Sequence, residues 1–194
     1  MDPKNPLNIP SLSNPKTSRL SWDELFMNIA FLASKRAADK YVECGAVYVD
    51  DEHKIISIGY NGPSKGDDHC IEVGCRKVDG DFETGKIMRN RGAHAEVNGI
   101  INAQDTRRLR GCTIYTTLFP CYDCMKYLNN AGVKEIVYMH EYARIKDGGQ
   151  GVEREEEAWE LAKKRAISIR QYQGKIYYEQ AGQRCPDCLP KIGV

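Results

Sequence analysis

The feature that most limits what this chain can be is His94-Ala95-Glu96 together with Pro120-Cys121-Tyr122-Asp123-Cys124. Zinc in a catalytic site takes three protein ligands and leaves a fourth position open. His94, Cys121 and Cys124 supply three donors of the right kind. Glu96 is left over, close to the metal and free to move protons. The spacing has a physical basis. His94 precedes a helical run through Val97, Ile100 and Ile101, which puts it and Glu96 at a first turn. Pro120 suits the start of a second helix, where its missing N–H costs nothing. Cys121 and Cys124, three apart, then share one face. Both ligand sets sit at helix N-termini, whose positive end favours a thiolate. A Cys-x-x-Cys alone reads equally well as a redox pair, and a His-x-Glu alone carries nothing. The joint pattern selects catalytic zinc over a structural site, which would need a fourth Cys or His and would leave Glu96 without a role.

The chain has 194 residues, enough for one domain with a substantial core. A formal charge of +1 gives no basic surplus, so long nucleic acid is not an expected partner. No apolar run is long enough to span a bilayer, and no signal peptide is evident, so no membrane partner is expected. Eight cysteines are many for an intracellular chain, but the regular alternation of strands and helices is unlike a secreted disulfide scaffold. The expectation is a cytoplasmic protein whose thiols mostly bind metal.

Residues 1–20, with Pro3, Pro6, Pro10 and Pro15, read as a flexible N-terminal arm. Residues 21–180 read as the folded domain, and 181–194 as a tail with Cys185-Pro186-Asp187-Cys188. Ser21 and Glu24 make a capping box for a helix expected to end near Lys40. Gly45 to Val49 and Ile55 to Tyr60 predict a hairpin. The loop from Gly59 to Asp68 ends a strand, where binding groups often sit. Asn61 there suits a sugar hydroxyl, or it merely tolerates a left-handed turn. His69, Cys70 and Cys75 form a possible second metal site. The stretch from Arg76 to Gly92 has no clear period, with a short helix expected near Gly85 to Arg91. Helices are expected over His94 to Ala103, Cys121 to Asn130 and Glu153 to Ala166, with Gly132 stopping the second. Cys112 to Leu118, Glu135 to Met139, Ile167 to Gln171 and Lys175 to Tyr178 read as strands, and Gly148, Gly149 and Gly151 as a flexible break. Cys44 and Cys112 read as small buried residues. The order predicts an α/β layer structure.

Both halves of the metal motif, Gly59-Tyr60-Asn61-Gly62, the His69-Cys70-x4-Cys75 insertion and His94-Ala95-Glu96-Val97-Asn98 resemble the cytidine deaminase superfamily and, within it, the deoxycytidylate deaminases. The resemblance covers roughly residues 22–172. It implies a three-layer α-β-α fold with a mixed five-stranded sheet. It implies hydrolysis of dCMP to dUMP, with zinc-activated water attacking C4 and Glu96 as proton carrier. By resemblance, the Ala95 N–H bonds the base carbonyl, Asn61 holds the 3′-hydroxyl and Tyr142 lies near the phosphate. Phe119 packs near the base or is plain core. The family is also known for activation by dCTP and inhibition by dTTP with Mg2+, at a site involving the loop around Tyr60, Asn61, Gly62, Lys65 and Asp67, in a homo-hexamer. The chain departs from the family at Pro63, which follows Gly62 directly, and at Arg89, where relatives with the insertion carry another Cys. A second, structural zinc would then need other ligands, and Cys185 with Cys188 is one way to complete Cys70 and Cys75. Rival readings are a deaminase of another cytosine nucleotide or of tRNA adenosine, and a non-catalytic zinc-binding competence-type protein.

Overall fold

A computed structural model of the chain describes residues 19–77, 79–80, 84, 86, 89–145 and 152–177. The expected arm, apart from its last two residues, and the tail with Cys185 and Cys188 lie outside the described residues, as do Gly148, Gly149 and Gly151. Helix α1 (Trp22–Ser34) opens on the capping box: the Glu24 N–H donates to the Ser21 hydroxyl, and the Ser21 N–H to the Glu24 carboxylate. Strands β1 (Gly45–Val49) and β2 (Ile55–Tyr60) form the hairpin. The short β3 (Gly62–Pro63) pairs with β4 (Gly92–Ala93), on either side of a one-turn helix α2 (Cys70–Val73). Then follow α3 (Ala95–Asn102), β5 (Thr113–Leu118), α4 (Tyr122–Ala131) and β6 (Glu135–His140). A hairpin of β7 (Ala143–Ile145) and β8 (Val152–Arg154) leads into α5 (Glu156–Lys164) and β9 (Ser168–Gln171).

The main sheet has the order β2-β1-β5-β6-β9. Pairings β1–β2 and β1–β5 are antiparallel, while β5–β6 and β6–β9 are parallel. This is the expected mixed five-stranded sheet. One face packs on α1 through Phe26, Met27 and Ala30 against Val47, Val49 and Val137. The other is covered by α3, α4 and α5 through Ala95, Met125, Leu128, Ala158 and Ala162 against Tyr48, Ile114 and Ile136. Three layers result, as two buried sheet faces require.

Helix α1 ends at Ser34, short of the expected Lys40. The Ser34 hydroxyl turns back to donate to the Phe31 carbonyl at 2.7 Å, and β1 enters directly beside it. A Cβ on Gly45 would lie 2.0 Å from the Ala30 carbonyl oxygen. The expected strand at Lys175 to Tyr178 is irregular over its described residues, because the Tyr177 N–H donates to the Asn28 side chain on α1 rather than to a strand. The short helix expected near Gly85 to Arg91 falls largely outside the described residues. Gly132 stops α4 in the left-handed conformation, with φ 82°. No described helix is long and apolar enough to cross a membrane.

Candidate active site

Helix α3 is held against the sheet by four polar ties. The Tyr48 hydroxyl donates to the Glu96 carbonyl (2.7 Å), and Ser57 donates to the Gly99 carbonyl (2.8 Å). Asn98 and Asn102 donate to the carbonyls of Tyr60 and Ile58, covering the outer edge of β2. Gly59 and Gly99 allow the close approach: a Cβ at Gly59 would sit 2.1 Å from the Ala95 carbonyl oxygen. His94, the residue that caps α3, is thereby fixed beside the end of β5.

Across from it, β5 delivers Phe119, Pro120 and Cys121 to the start of α4. His94 Nδ1 lies 3.4 Å from the Cys121 sulfur and 3.3 Å from the Cys124 sulfur. Zinc–ligand lengths and tetrahedral angles put such donors roughly 3.5 Å apart. His94 is exposed while both sulfurs are buried, which leaves one side open to a ligand. The residues fit a catalytic metal site of three donors. A hydrogen bond from Cys124, helped by His94 and the Cys124 backbone N–H, draws the Cys121 thiol down to about 4. The same bond pushes Cys124 upward, so the close pair favours one thiolate before any metal enters. Glu96 is 3% exposed, and burial raises its carboxyl above the usual range. It lies within hydrogen-bond reach of Cys124, on the metal side of α3, and outside the donor triad.

The other expected positions are distributed as follows. Ala95 is buried at the first turn of α3, where backbone N–H groups have no helical acceptor. Asn61 is buried, its side chain accepting from the Cys44 N–H (2.7 Å) and donating to the Val42 carbonyl (2.8 Å). Its backbone is not left-handed. Phe119 is 3% exposed and stacks on Trp159 at 4.7 Å, with its edge toward Tyr138, so that face of the ring is already covered. Tyr142 is half-buried just beyond β6.

Of the expected effector loop, Gly62 lies in β3 beside Ala93, one residue from His94. Tyr60 and Lys65 are exposed. Asp67 is held by Arg91 at 3.0 Å, and the Arg91 Nε, buried, finds no acceptor among the described residues.

Cys70 and Cys75 do come together, but their third neighbour is Asp39. Donor atoms of these three lie within 4.8 Å of one another, and all three are buried. His69 is not among them: at the outer edge of α2 its ring faces Glu72 at 3.9 Å and is half exposed. Asp39 was not legible in the sequence, because it lies 31 positions before Cys70 and no local period joins them. Its carboxylate accepts from the Tyr41 and Val42 N–H groups and from Asn90. Burial raises the Cys70 thiol to about 11.

The sheet, its two helical layers and the donor triad define a cytidine deaminase-like protein. The chain belongs to the family described as the cytidine and deoxycytidylate deaminase zinc-binding region, whose model matches residues 20–140. It is 38% identical over 120 residues to the deoxycytidylate deaminase of Homo sapiens, covering 62% of this chain and 65% of that protein. It is 33% identical over 125 residues to ComE operon protein 2 of Bacillus subtilis, covering 64% of this chain and 62% of that one. The match thus spans somewhat under two thirds of these curated relatives. The crystal structure of dCMP deaminase from the cyanophage S-TIM5, in complex with dCMP and dUMP, shares the fold with a TM-score of 0.59 at 24% identity, over 80% of this chain and 99% of that one.

Proposed function

We propose that this chain catalyses the hydrolytic deamination of dCMP to dUMP. The observation that carries this reading is the convergence of His94, Cys121 and Cys124 beside a buried glutamate that is not a ligand. The name of the human relative and the nucleotides in the cyanophage structure favour a deoxycytidine monophosphate substrate. His94 Nδ1 and the sulfurs of Cys121 and Cys124 would hold Zn2+, which supplies a Lewis acid that makes water a nucleophile near neutral pH. Glu96 takes a proton from the attacking water and gives one to N3 of the cytosine. It then carries the second to the departing ammonia. Burial suits this work, because a carboxyl raised above its usual range both accepts and returns a proton. The Ala95 N–H, at the start of α3, is assigned to orient the base carbonyl. Asn61 keeps one amide hydrogen and one lone pair beyond its two backbone bonds, which suits a sugar hydroxyl. Tyr142 is assigned to the phosphate.

Ammonia release from dCMP tests the reading, with dCTP, cytidine and tRNA as competing substrates. Ammonia and dUMP from dCMP are expected. A zinc-loaded protein that leaves dCMP untouched, or that prefers another of the three, overturns it.

Control by dCTP and dTTP with Mg2+ is part of the same proposal. It is supported by the buried Arg91, whose Nε lacks an acceptor among the described residues beside Gly62 and Pro63. Turnover that ignores both triphosphates removes it. A second, structural Zn2+ is assigned to Cys70 and Cys75 with Asp39; Cys185 and Cys188, which lie outside the described residues, are the proposed further ligands. Metal content of Cys70→Ser decides this, since a site with Asp39 loses one zinc per chain and the first site keeps its own. A homo-oligomer, hexameric by resemblance, is tested by light scattering.

A further inference from the structure

The helix that carries both sulfurs starts without an oxygen cap of its own, because its N-cap residue is Cys121. Every helix start leaves N–H groups that need acceptors. In α4 one of them is met from far along the chain. The Tyr122 N–H donates to the Glu155 carboxylate at 3.1 Å, a bond that spans 33 positions of sequence. Glu155 lies between β8 and α5, so its carboxylate closes the start of α4 from another part of the fold. It is the half-buried member of the run Glu155-Glu156-Glu157, whose other two members are exposed. It is also outside the donor triad.

We infer that Glu155 is a positioning residue of the metal centre: a remote carboxylate cap that locks the first turn of α4 and so holds Cys121 and Cys124 facing His94. The inference rests on reading those three residues as a zinc site. The physical argument is one of position and charge. A carboxylate at a helix N-terminus is favourable, and Tyr122 is the residue between Cys121 and the rest of the turn. A hydrogen bond at that N–H fixes the backbone on which Cys121 turns. Groups that orient metal ligands without touching the metal commonly govern how tightly it is held. Because Glu155 also begins α5, which packs on α4, the same bond ties the β7–β8 hairpin and α5 to the metal-bearing turn.

The test is the zinc dissociation constant of the full chain, measured by competition with a chromogenic chelator, for Glu155→Ala, Glu155→Gln, Glu155→Asp and Glu157→Ala. Glu155→Ala is expected to weaken zinc by about 10- to 100-fold, the usual cost of losing an orienting partner. Glu155→Gln keeps an acceptor at the same reach but loses the charge, and is expected to weaken zinc less than Glu155→Asp does. Glu155→Asp, which keeps the charge but draws the acceptor back, is expected to weaken zinc and serves if the alanine variant does not fold. Glu157→Ala is expected to have no effect. Zinc held as tightly by Glu155→Asp or Glu155→Ala as by wild type overturns the role, and so does a loss in Glu155→Gln as large as in Glu155→Asp. A wild-type chain that takes up no zinc sinks the parent reading of the site instead.

Discussion

Tyr48 donates its hydroxyl hydrogen to the main-chain carbonyl of Glu96 across 2.7 Å, and Tyr48 is fully buried. A core residue of β1 therefore sets the depth at which α3 sits on the sheet. The same ring lies against Gly99, where a Cβ would come within 2.4 Å of its edge. The proposed proton carrier is thus placed by a residue outside the donor triad. Tyr48→Phe removes one buried hydrogen bond while keeping the ring. It should cost about 1 kcal/mol, or a fall in Tm of about 2–4 °C for a chain of this size. Thermal unfolding measures it, and an unchanged Tm would mean that the bond contributes nothing.

Gly59→Ala should be far more damaging than its single methyl suggests. The new Cβ would lie 2.1 Å from the Ala95 carbonyl oxygen and 2.4 Å from the Gly99 nitrogen, both main-chain atoms that no rotamer change can move. Overpacking of this kind costs about 1–3 kcal/mol or more. The helix pushed outward is the one that starts at His94, so zinc affinity should fall with stability. Denaturant midpoint and zinc content report the two together; a variant with both at wild-type values would show that α3 is not held by this contact.

Glu96→Ala should separate binding from chemistry. Glu96 is not one of the converging donors, so zinc content should be unchanged. Turnover should drop by about 10²- to 10⁴-fold, the range of a positioned acid–base group, or further, because the same carboxyl serves more than one proton transfer. Retained activity in a folded, zinc-loaded variant would require another proton carrier.

Acid stability should depend on Asp23. Arg170 donates two bonds to it, Tyr115 donates a third at 2.8 Å, and Arg170 also reaches Glu135. The hydrogen bonds from Arg170, with that from Tyr115, hold the Asp23 carboxyl below its usual value against the opposing effect of burial. A carboxyl depressed in the folded state adds stability above its unfolded pKa, about 3.9, and loses it as pH falls through the folded value. Asp23→Asn should therefore be less stable than wild type at neutral pH, and the difference should close as the pH drops below about 4. Much of the cluster meets solvent, so added salt should narrow the gap. Urea unfolding of both proteins between acid and neutral pH is the measurement; a pH-independent gap would assign the loss to packing.

Much of the candidate site is legible in the linear chain because its geometry is local. A first helical turn brings residues three apart onto one face, so Cys121 and Cys124 announce themselves; His94 and Glu96 stand out because both fall at the start of one helix. The Ser21–Glu24 capping box and the stop at Gly132 are legible for the same reason: each is a hydrogen-bond or dihedral requirement met within four residues. The alternation of strand and helix patterns likewise points to a layered α/β fold, and the strand bounds at Gly45–Val49 and Ile55–Tyr60 follow from it.

Only the folded chain decided the rest. The end of α1 at Ser34 comes from β1 passing beside it at Gly45, and the departure of Lys175 to Tyr177 from strand pairing comes from Asn28. The neighbour of Cys70 and Cys75 is Asp39 rather than His69, and Glu155 reaches across 33 positions to the first turn of α4. Nothing local to β1 foretells that the Tyr48 hydroxyl finds the Glu96 carbonyl. Periodicity encodes which face a side chain takes on its own element. It holds no record of which distant element that face will meet, because packing and the pairing of buried polar groups settle that only when the layers close.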